Sequence, residues 1–162
     1  DDQLMREHAA EIVDGICIMM YALQVNKATV AIEANKPEAI KAMEEASKDL
    51  DAVSVVTVPV RYPMGSEKHL VHTLTGKETP ARALTADIGI VVHNVATAYA
   101  IQQCIRNDRP LIDRVVTVSG GAVNKPGNYL TPIGTPVGSL INVTGGFKTD
   151  PVRLIGGSPM VG

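Results

Sequence analysis

Aromatic residues and basic charge are both scarce in this chain. Tryptophan is absent, only 3% of the 162 residues are aromatic, and the formal net charge is −2. Proteins that bind nucleic acids usually present a basic stripe or aromatic side chains on which bases stack. The composition therefore excludes a nucleic-acid-binding surface.

Long apolar runs are also missing. No hydrophobic stretch approaches the roughly 20 residues that a membrane-spanning helix requires, and nothing resembles a signal peptide. We therefore expect that this segment is neither inserted into a membrane nor exported. Because it begins at Asp1 without a methionine, we also expect it to be a piece of a longer protein.

The residues of common catalytic and metal sites are few. Cys17 and Cys104 lie in apolar helical patterns without a CxxC partner, so we expect buried free thiols. His69 and His72 stand three residues apart, but no acidic or thiolate third ligand is near them, so we predict no metal site. No local Ser, His and Asp motif supports hydrolase chemistry.

What the sequence does contain is an alternation of strand and helix patterns. Three short apolar segments are predicted as strands, at 28–32, 53–60 and 87–92. Four helices are predicted, at 1–23, 37–50, 67–75 and 95–106. In the first helix, Gly15 indicates either close approach of another backbone or simple tolerance. Continuous apolar strands between helices predict an α/β fold with a parallel sheet covered on both faces.

Glycine and proline become denser after about residue 111, where the pattern changes. The predicted elements there are strands at 114–119, 128–133 and 152–155 and a short helix ending near Val143. Strands paired around a turn, with one helix, are typical of a small α+β unit. We therefore predict one domain over 1–111 and a second over 112–162.

The segment Tyr62–Lys68 (YPMGSEK) joins the second predicted strand to a helix. Gly65 allows a turn with positive φ, and Ser66 is a suitable N-cap. Such a turn lies at the carboxyl edge of parallel strands, where free helix N–H groups hold phosphates. The cation of Lys68 opposes the helix dipole by about 0.3–1 kcal/mol, which either a bound anion or Glu67 and solvent would offset.

A second helix start is predicted at the same edge. His93 and Asn94 follow the third predicted strand, and Glu33 follows the first. We expect His93 and Asn94 to converge with the Tyr62–Lys68 turn on one pocket. For Asn94 an alternative stays open, because capping the helix would by itself explain an asparagine at this position.

Several of these segments together resemble one family. DDQLMREHAAEIVDGI, IEANKPEAI, VPVRYPMGSEKHLVHTLTGKETP, DIGIVVHNVATAYAI and RVVTVSGGAVNKPGNYLTPIGTPVGSLI are similar to the central part of the C subunit of the Rnf complex, the ion-translocating oxidoreductase that links ferredoxin and NAD. More distantly, the chain resembles the NADH-binding flavoprotein subunit of complex I. The resemblance implies a Rossmann-like domain that binds FMN with NADH stacked over it, followed by a soluble-ligand-binding (SLBB) β-grasp domain.

The resemblance also implies which residues bind the cofactors. In the complex I turn, a tyrosine, a glycine and two acids match Tyr62, Gly65, Ser66 and Glu67, so a serine replaces the first acid. The predicted cofactor-binding residues are Tyr62, Gly65, Ser66, Glu67, Lys68, His93, Asn94 and Thr97.

Only half of the asparagine pair that holds FMN in complex I is present. Asn94 matches one member, and His93 replaces the other, where it would donate to a flavin oxygen or phosphate or stack on the ring. Thr97 lies one helical turn further on. No residue is predicted to be catalytic, because the flavin carries the chemistry.

In this family a glycine-rich loop for FMN and NADH lies upstream of the matched region, and cysteine-rich iron–sulfur domains lie downstream. The resemblance therefore implies half a flavin pocket and no cluster in this chain, so the isolated segment should bind FMN weakly or not at all and be inactive. The parent would pass electrons between NADH, FMN, iron–sulfur clusters and ferredoxin. Its partners would be the other subunits of a membrane complex, and it would lie on the cytoplasmic side of the inner membrane as a peripheral protein.

Other functions remain open at this point. The chain fits a docking or assembly module that holds no cofactor. It also fits an unrelated α/β nucleotide binder or, within the wider family, a cobalamin reductase subunit. Flavin absorbance and the flanking sequence would separate these functions.

Overall fold

Helices and strands alternate through residues 1–110, the first of two units into which the chain divides in a computed structural model. The structure describes residues 1–157. The elements of the first unit, in chain order, are α1 (Asp2–Glu7), α2 (Ala9–Leu23), β1 (Ala28–Glu33), α3 (Pro37–Ser47), β2 (Val53–Val58), α4 (Glu67–Thr75), a 3-10 turn (Thr85–Ile88) and α5 (Val95–Asn107).

The two strands of this unit, β1 and β2, are parallel. Their register runs from Ala28 opposite Val53 to Glu33 opposite Val58. Valine and isoleucine side chains on one face of the strands, among them Val30 and Ile32, are buried in a core that α1, α2, α3 and α5 also enter. The prediction of an α/β fold with parallel strands packed against helices is therefore confirmed.

Coverage of the second sheet face, in contrast, is only partial. Thr29 and Ser54 lie opposite each other on that face and are exposed, and Val56 is exposed as well. Val58, at the carboxyl end of the same face, is buried. Four helices, α1, α2, α3 and α5, thus share a core on one side of the strands.

The predicted third strand at 87–92 is wrong. Thr85–Ile88 instead form a 3-10 turn, in which an Asp87 carboxylate oxygen accepts a 2.9 Å hydrogen bond from the Leu84 N–H. Gly89 then adopts a φ of 79°, which extended backbone does not allow. An aspartate that caps the turn and a left-handed glycine therefore break the apolar run before a strand forms.

The predicted first helix is interrupted at His8. This residue has a φ of −133° and ends α1 before α2 begins. Its ring stacks at 4.9 Å, tilted, on Tyr99 of α5, and its Nδ1 lies 3.1 Å from Glu11. The apolar period continues across the break, so spacing alone did not reveal it.

Gly15 of α2 lies directly against the backbone of α5. It is buried, and a Cβ at this position would overlap the backbone carbonyl group of Ala98. Of the two readings left open for this glycine, the structure supports close approach of backbones.

The expectation of two buried thiols is wrong, because Cys17 is half-buried and Cys104 is exposed on the outer side of α5.

The second unit, from Leu111 onward, begins with two antiparallel strands. β3 (Asp113–Val118) and β4 (Gly127–Pro132) pair as predicted, and α6 (Val137–Val143) follows. An isolated antiparallel bridge joins Val123 to Phe147. The strand predicted at 152–155 is wrong: within the described residues this segment has no strand partner, and its apolar side chains Val152, Leu154 and Ile155 are exposed.

Candidate functional site

The start of α4 is formed as the sequence predicts. Ser66 occupies the N-cap position with extended backbone, and Gly76 ends the helix in a left-handed conformation with a φ of 69°. The Ser66 side chain makes no capping hydrogen bond. The first N–H groups of α4 are therefore left uncapped by that side chain, as an anion-binding helix start requires.

Glu67 is held against the 3-10 turn. Its carboxylate accepts a hydrogen bond from the hydroxyl of Thr85, which is only 2% exposed. Sequence reasoning did not identify Thr85, because nothing in its spacing from Glu67 indicates the contact. This hydrogen bond fixes where the one acid of the turn lies.

The turn before α4 is open to solvent. Tyr62 is 68% exposed, and a Cβ built on Gly65 would meet no atom within 4 Å. The expectation of positive φ at Gly65 is wrong, since this glycine is not among those with a left-handed backbone. The absence of a side chain here leaves free space in front of the helix start rather than allowing an unusual backbone.

Asn94 uses the two ends of its amide differently. Its Oδ1 accepts a 2.8 Å hydrogen bond from the Ala96 N–H and so caps α5. Its Nδ2 donates to an Asp1 carboxylate oxygen at 2.9 Å. Capping is confirmed, yet it occupies only the oxygen. The NH₂ group bonds to Asp1 at the surface. Of the two other predicted residues at this helix start, His93 is exposed and Thr97 is half-buried.

Lys68 lies in a different environment from Glu67. It lines an open cleft of about 270 Å³ together with His69, His72, Glu78 and Thr79. None of the other predicted cofactor-binding residues lines this cleft. Lys68 forms no ion pair within the described part of the chain, so pairing with Glu67 does not explain it.

Glu33 lies at the carboxyl edge of the strands. It is opposite Val58 in the register, and the Ala34 N–H donates to the Val58 carbonyl at 3.0 Å. The Tyr62–Lys68 turn follows β2 a few residues later. Convergence of this turn with His93 and Asn94 on one pocket stays a prediction.

Charged groups also hold α5, and so Asn94, in place. Arg106 donates two hydrogen bonds, of 2.9 and 2.8 Å, to the carboxylate oxygens of Asp14 in α2. These bonds keep the pKa of Asp14 below its usual range. Near the start of α2, the hydrogen bond with His8 likewise lowers the pKa of Glu11.

Two further features of residues 1–157 bear on the site. No group of three His, Cys, Asp or Glu side chains in this part of the chain is placed to hold a metal ion. None of its helices combines the length and apolar composition needed to cross a bilayer.

Comparison with known families separates the chain into two matched regions. Residues 1–103 match the model of the Nuo51 FMN-binding domain, and residues 115–162 match the SLBB domain model. The first match covers more than half of the chain and contains every predicted cofactor-binding residue.

Similar proteins match over the whole length of this chain. They include the C subunit of the ion-translocating oxidoreductase complex of Rhodobacter capsulatus, which is 55% identical over 100% of this chain and 31% of its own length. The C subunit of the proton-translocating ferredoxin:NAD(+) oxidoreductase complex of Clostridium ljungdahlii is 47% identical over 100% of this chain and 35% of its own. The C subunit of the ion-translocating oxidoreductase complex of Haemophilus influenzae is 42% identical over 100% of this chain and 24% of its own.

The chain thus spans about a third or less of the length of the curated relatives it matches. Both domain types that the resemblance implied are found, in the order expected, and the resemblance to the C subunit is confirmed. The chain belongs to the family of the Nuo51 FMN-binding domain.

Proposed function

We propose that this chain is the flavin-binding and nicotinamide-binding segment of a longer electron-transfer subunit in an ion-translocating membrane complex. The observation that carries the proposal is the match of residues 1–103 to an FMN-binding domain. The relatives support the rest: their names describe subunits of ion-translocating complexes, and one names ferredoxin and NAD(+) as the reactants of its complex.

The residues present fit FMN at two helix starts. The N–H groups at the start of α4 have no side-chain cap, and no side chain fills the space at Gly65. Uncapped N–H groups behind such a space suit the phosphate of FMN. At α5, the Nδ2 of Asn94 is not used for capping; it donates to Asp1 and has a second N–H that would serve a polar edge of the flavin.

The remaining residues would orient and shield the cofactors. Exposed Tyr62 offers a ring against which a planar group packs, and Glu67, fixed by Thr85, offers an acceptor for a hydroxyl or amide of NADH. His93 and Thr97 would add polar contacts beside Asn94. The bound cofactor would supply hydride acceptance from NADH and single-electron release, so the residues of this chain would supply position and electrostatics.

The proposal includes an arrangement for the whole subunit. Residues 1–111 would form the FMN and NADH domain and residues 112–162 the SLBB domain. Iron–sulfur clusters outside this chain would pass the electrons on toward ferredoxin. Through the other subunits the protein would sit on the cytoplasmic side of the inner membrane, and this segment alone would be inactive.

Substitutions at Asn94 test the proposal, because they separate capping from cofactor binding. Serine retains the cap but has no NH₂ group, whereas alanine loses both and costs about 1 kcal/mol of stability. In the full-length protein we expect both Asn94→Ser and Asn94→Ala to lower FMN affinity, by about fivefold or more for one lost hydrogen bond. Flavin absorbance between 350 and 500 nm after desalting measures the retained FMN.

Asn107→Ala is the matched control. Asn107 ends the same helix, and among residues 1–157 its side chain bonds only to Gln103, so this variant should keep its flavin. If Asn94→Ser retains FMN as well as the wild type does, Asn94 is only a cap. If the purified full-length protein takes up no FMN at all, the proposed function is wrong.

A docking role for the second unit is the other candidate. Val115 and Leu130 lie directly opposite each other on β3 and β4, yet they are 55% and 62% exposed. Such an apolar cross-strand pair is usually covered by another element or partner. Val115→Lys should then weaken assembly of the protein into its complex without changing FMN content, which distinguishes this role from flavin binding.

A further inference from the structure

The cleft that Lys68 lines carries side chains that the proposed flavin site does not use. Lys68 and His69 lie in the first turn of α4 and His72 one turn further on, and Glu78 and Thr79 come from the loop after this helix. Within residues 1–157 neither Lys68 nor Glu78 forms an ion pair. The cleft therefore holds charges of both signs that the fold does not neutralise.

One of the lining residues, Thr79, also has a polar atom without a partner. The Thr79 hydroxyl oxygen is shielded from solvent and has no hydrogen-bond partner among the described residues. An unsatisfied buried hydroxyl costs about 1–3 kcal/mol, so Thr79 lowers the stability of the loop that carries it.

The arrangement of charge limits which kinds of ligand fit the cleft. On the α4 side, an ammonium and two imidazoles form a cluster of donors, since an imidazole donates at least one N–H in either protonation state. On the loop side, the Glu78 carboxylate accepts hydrogen bonds and repels anions. A complementary ligand has an anionic group at one end and hydroxyl donors at the other.

We propose that this cleft binds a phosphorylated ribose. Its phosphate would accept hydrogen bonds from Lys68, His69 and His72, and a ribose hydroxyl would donate to the Glu78 carboxylate. An acidic side chain that accepts from ribose hydroxyls is a known feature of nucleotide sites. The cleft volume of about 270 Å³ suits a sugar phosphate rather than a whole dinucleotide. Because the side chains that would hold the ligand, Lys68, His69, His72 and Glu78, are exposed, we expect weak binding, with a dissociation constant of about 1 mM that rises with salt.

The site does not depend on the proposed function. A chain that fails to bind FMN would still bind the sugar phosphate, because none of the groups at Asn94 or Gly65 lines the cleft. The phosphate group has two possible sources, a nucleotide or free phosphate. Ribose 5-phosphate, AMP and inorganic phosphate are therefore separate probes.

The four histidines of the chain provide the readout. In a ¹H–¹³C spectrum at constant pH, ribose 5-phosphate and AMP should shift the imidazole signals of His69 and His72. The signal of His8, which lies outside both the cleft and the proposed flavin site, should stay in place. Inorganic phosphate should bind about fivefold more weakly, since it leaves Glu78 without a hydroxyl partner.

Two substitutions should have opposite effects on phosphate binding. Lys68→Gln should weaken the binding of all three probes about fivefold or more. The control Lys77→Gln, outside the cleft, should leave the binding of all three unchanged. Glu78→Gln should strengthen the binding of inorganic phosphate, because a repelling charge is removed. It should also abolish the preference for ribose 5-phosphate over inorganic phosphate.

Three results would overturn the proposal. The first is that no signal of His69 or His72 shifts by about 10 mM probe, at which a site of the expected affinity is largely filled. The second is that all four histidines shift together. The third is that Lys77→Gln weakens binding as much as Lys68→Gln, which would mean attraction by general surface charge.

Discussion

Replacing Gly15 by alanine should destabilise the first unit, because the absent side chain is what lets α5 lie against α2. A Cβ at this position would overlap the carbonyl group of Ala98, which is backbone and has no rotamer to change. Restoring a normal contact would require the helices to separate by about 1 Å. Ile12 and Val13, which are buried in the core that both helices share, would then lose part of their packing.

The expected loss of stability is the difference between two opposing free-energy contributions. Alanine is favoured over glycine within a helix by about 1 kcal/mol. Overpacking a close-packed core costs about 1–3 kcal/mol, and the upper end applies here because the obstacle is backbone. We therefore expect Gly15→Ala to lower the free energy of unfolding by about 2 kcal/mol, which is about 8 °C or more in Tm for a domain of this size.

Thermal and urea unfolding followed by circular dichroism measure this change. Gly138→Ala is the matched control, since Gly138 lies in helix α6 and a Cβ there would meet nothing within 4 Å. That variant should be neutral or stabilising by up to about 1 kcal/mol. Ala98→Gly should not rescue Gly15→Ala. A Gly15→Ala variant as stable as the wild type would refute the close approach of the two helices.

Three further outcomes are expected. Asp14→Asn should flatten the acid dependence of stability: Arg106 lowers the pKa of Asp14, so its stabilisation is complete above about pH 4 and is lost as pH falls through the folded-state pKa. Thr79→Val should leave the urea midpoint unchanged or raise it, because it removes an unsatisfied hydroxyl. Thr85→Val should speed hydrogen exchange at the start of α4, where its hydroxyl bonds Glu67.

Each of these outcomes has a control. Asp51 is an exposed carboxylate outside any ion pair of the described residues, so Asp51→Asn should keep the acid dependence that Asp14→Asn loses. The effect at Asp14 should also shrink in high salt, because both partners are partly exposed. A marked loss of stability in Thr79→Val, or unchanged exchange in Thr85→Val, would contradict the hydrogen bonding described for these threonines.

Local chemistry made much of the first unit predictable. Pro37 begins α3, Gly76 ends α4 and Asn94 caps α5, each as expected from what its own backbone or side chain favours. The parallel pairing of β1 and β2 followed from continuous apolar strands separated by a helix. These features depend on residues close in sequence.

The predictions that failed depend on contacts between residues distant in sequence, or on competition between local signals for a strand and for a turn. An apolar run predicted a strand at 87–92, but the cap by Asp87 and the left-handed Gly89 favoured a turn. The contact between Thr85 and Glu67, 18 positions apart, has no sequence signature. Of the candidate site, the helix starts were therefore predictable, whereas their supporting partners and the cleft beside Lys68 were not.

Isothermal titration of this 162-residue chain with FMN tests the central claim most directly. In the proposed arrangement the chain contributes only the helix starts at Ser66 and Asn94, and the glycine-rich loop of the flavin pocket lies elsewhere in the parent protein. Losing about 4 kcal/mol of contacts weakens binding about a thousandfold. We therefore expect either no binding or a dissociation constant weaker than about 1 μM. A value below about 1 μM would show that the pocket is complete within these residues and would contradict the proposed arrangement.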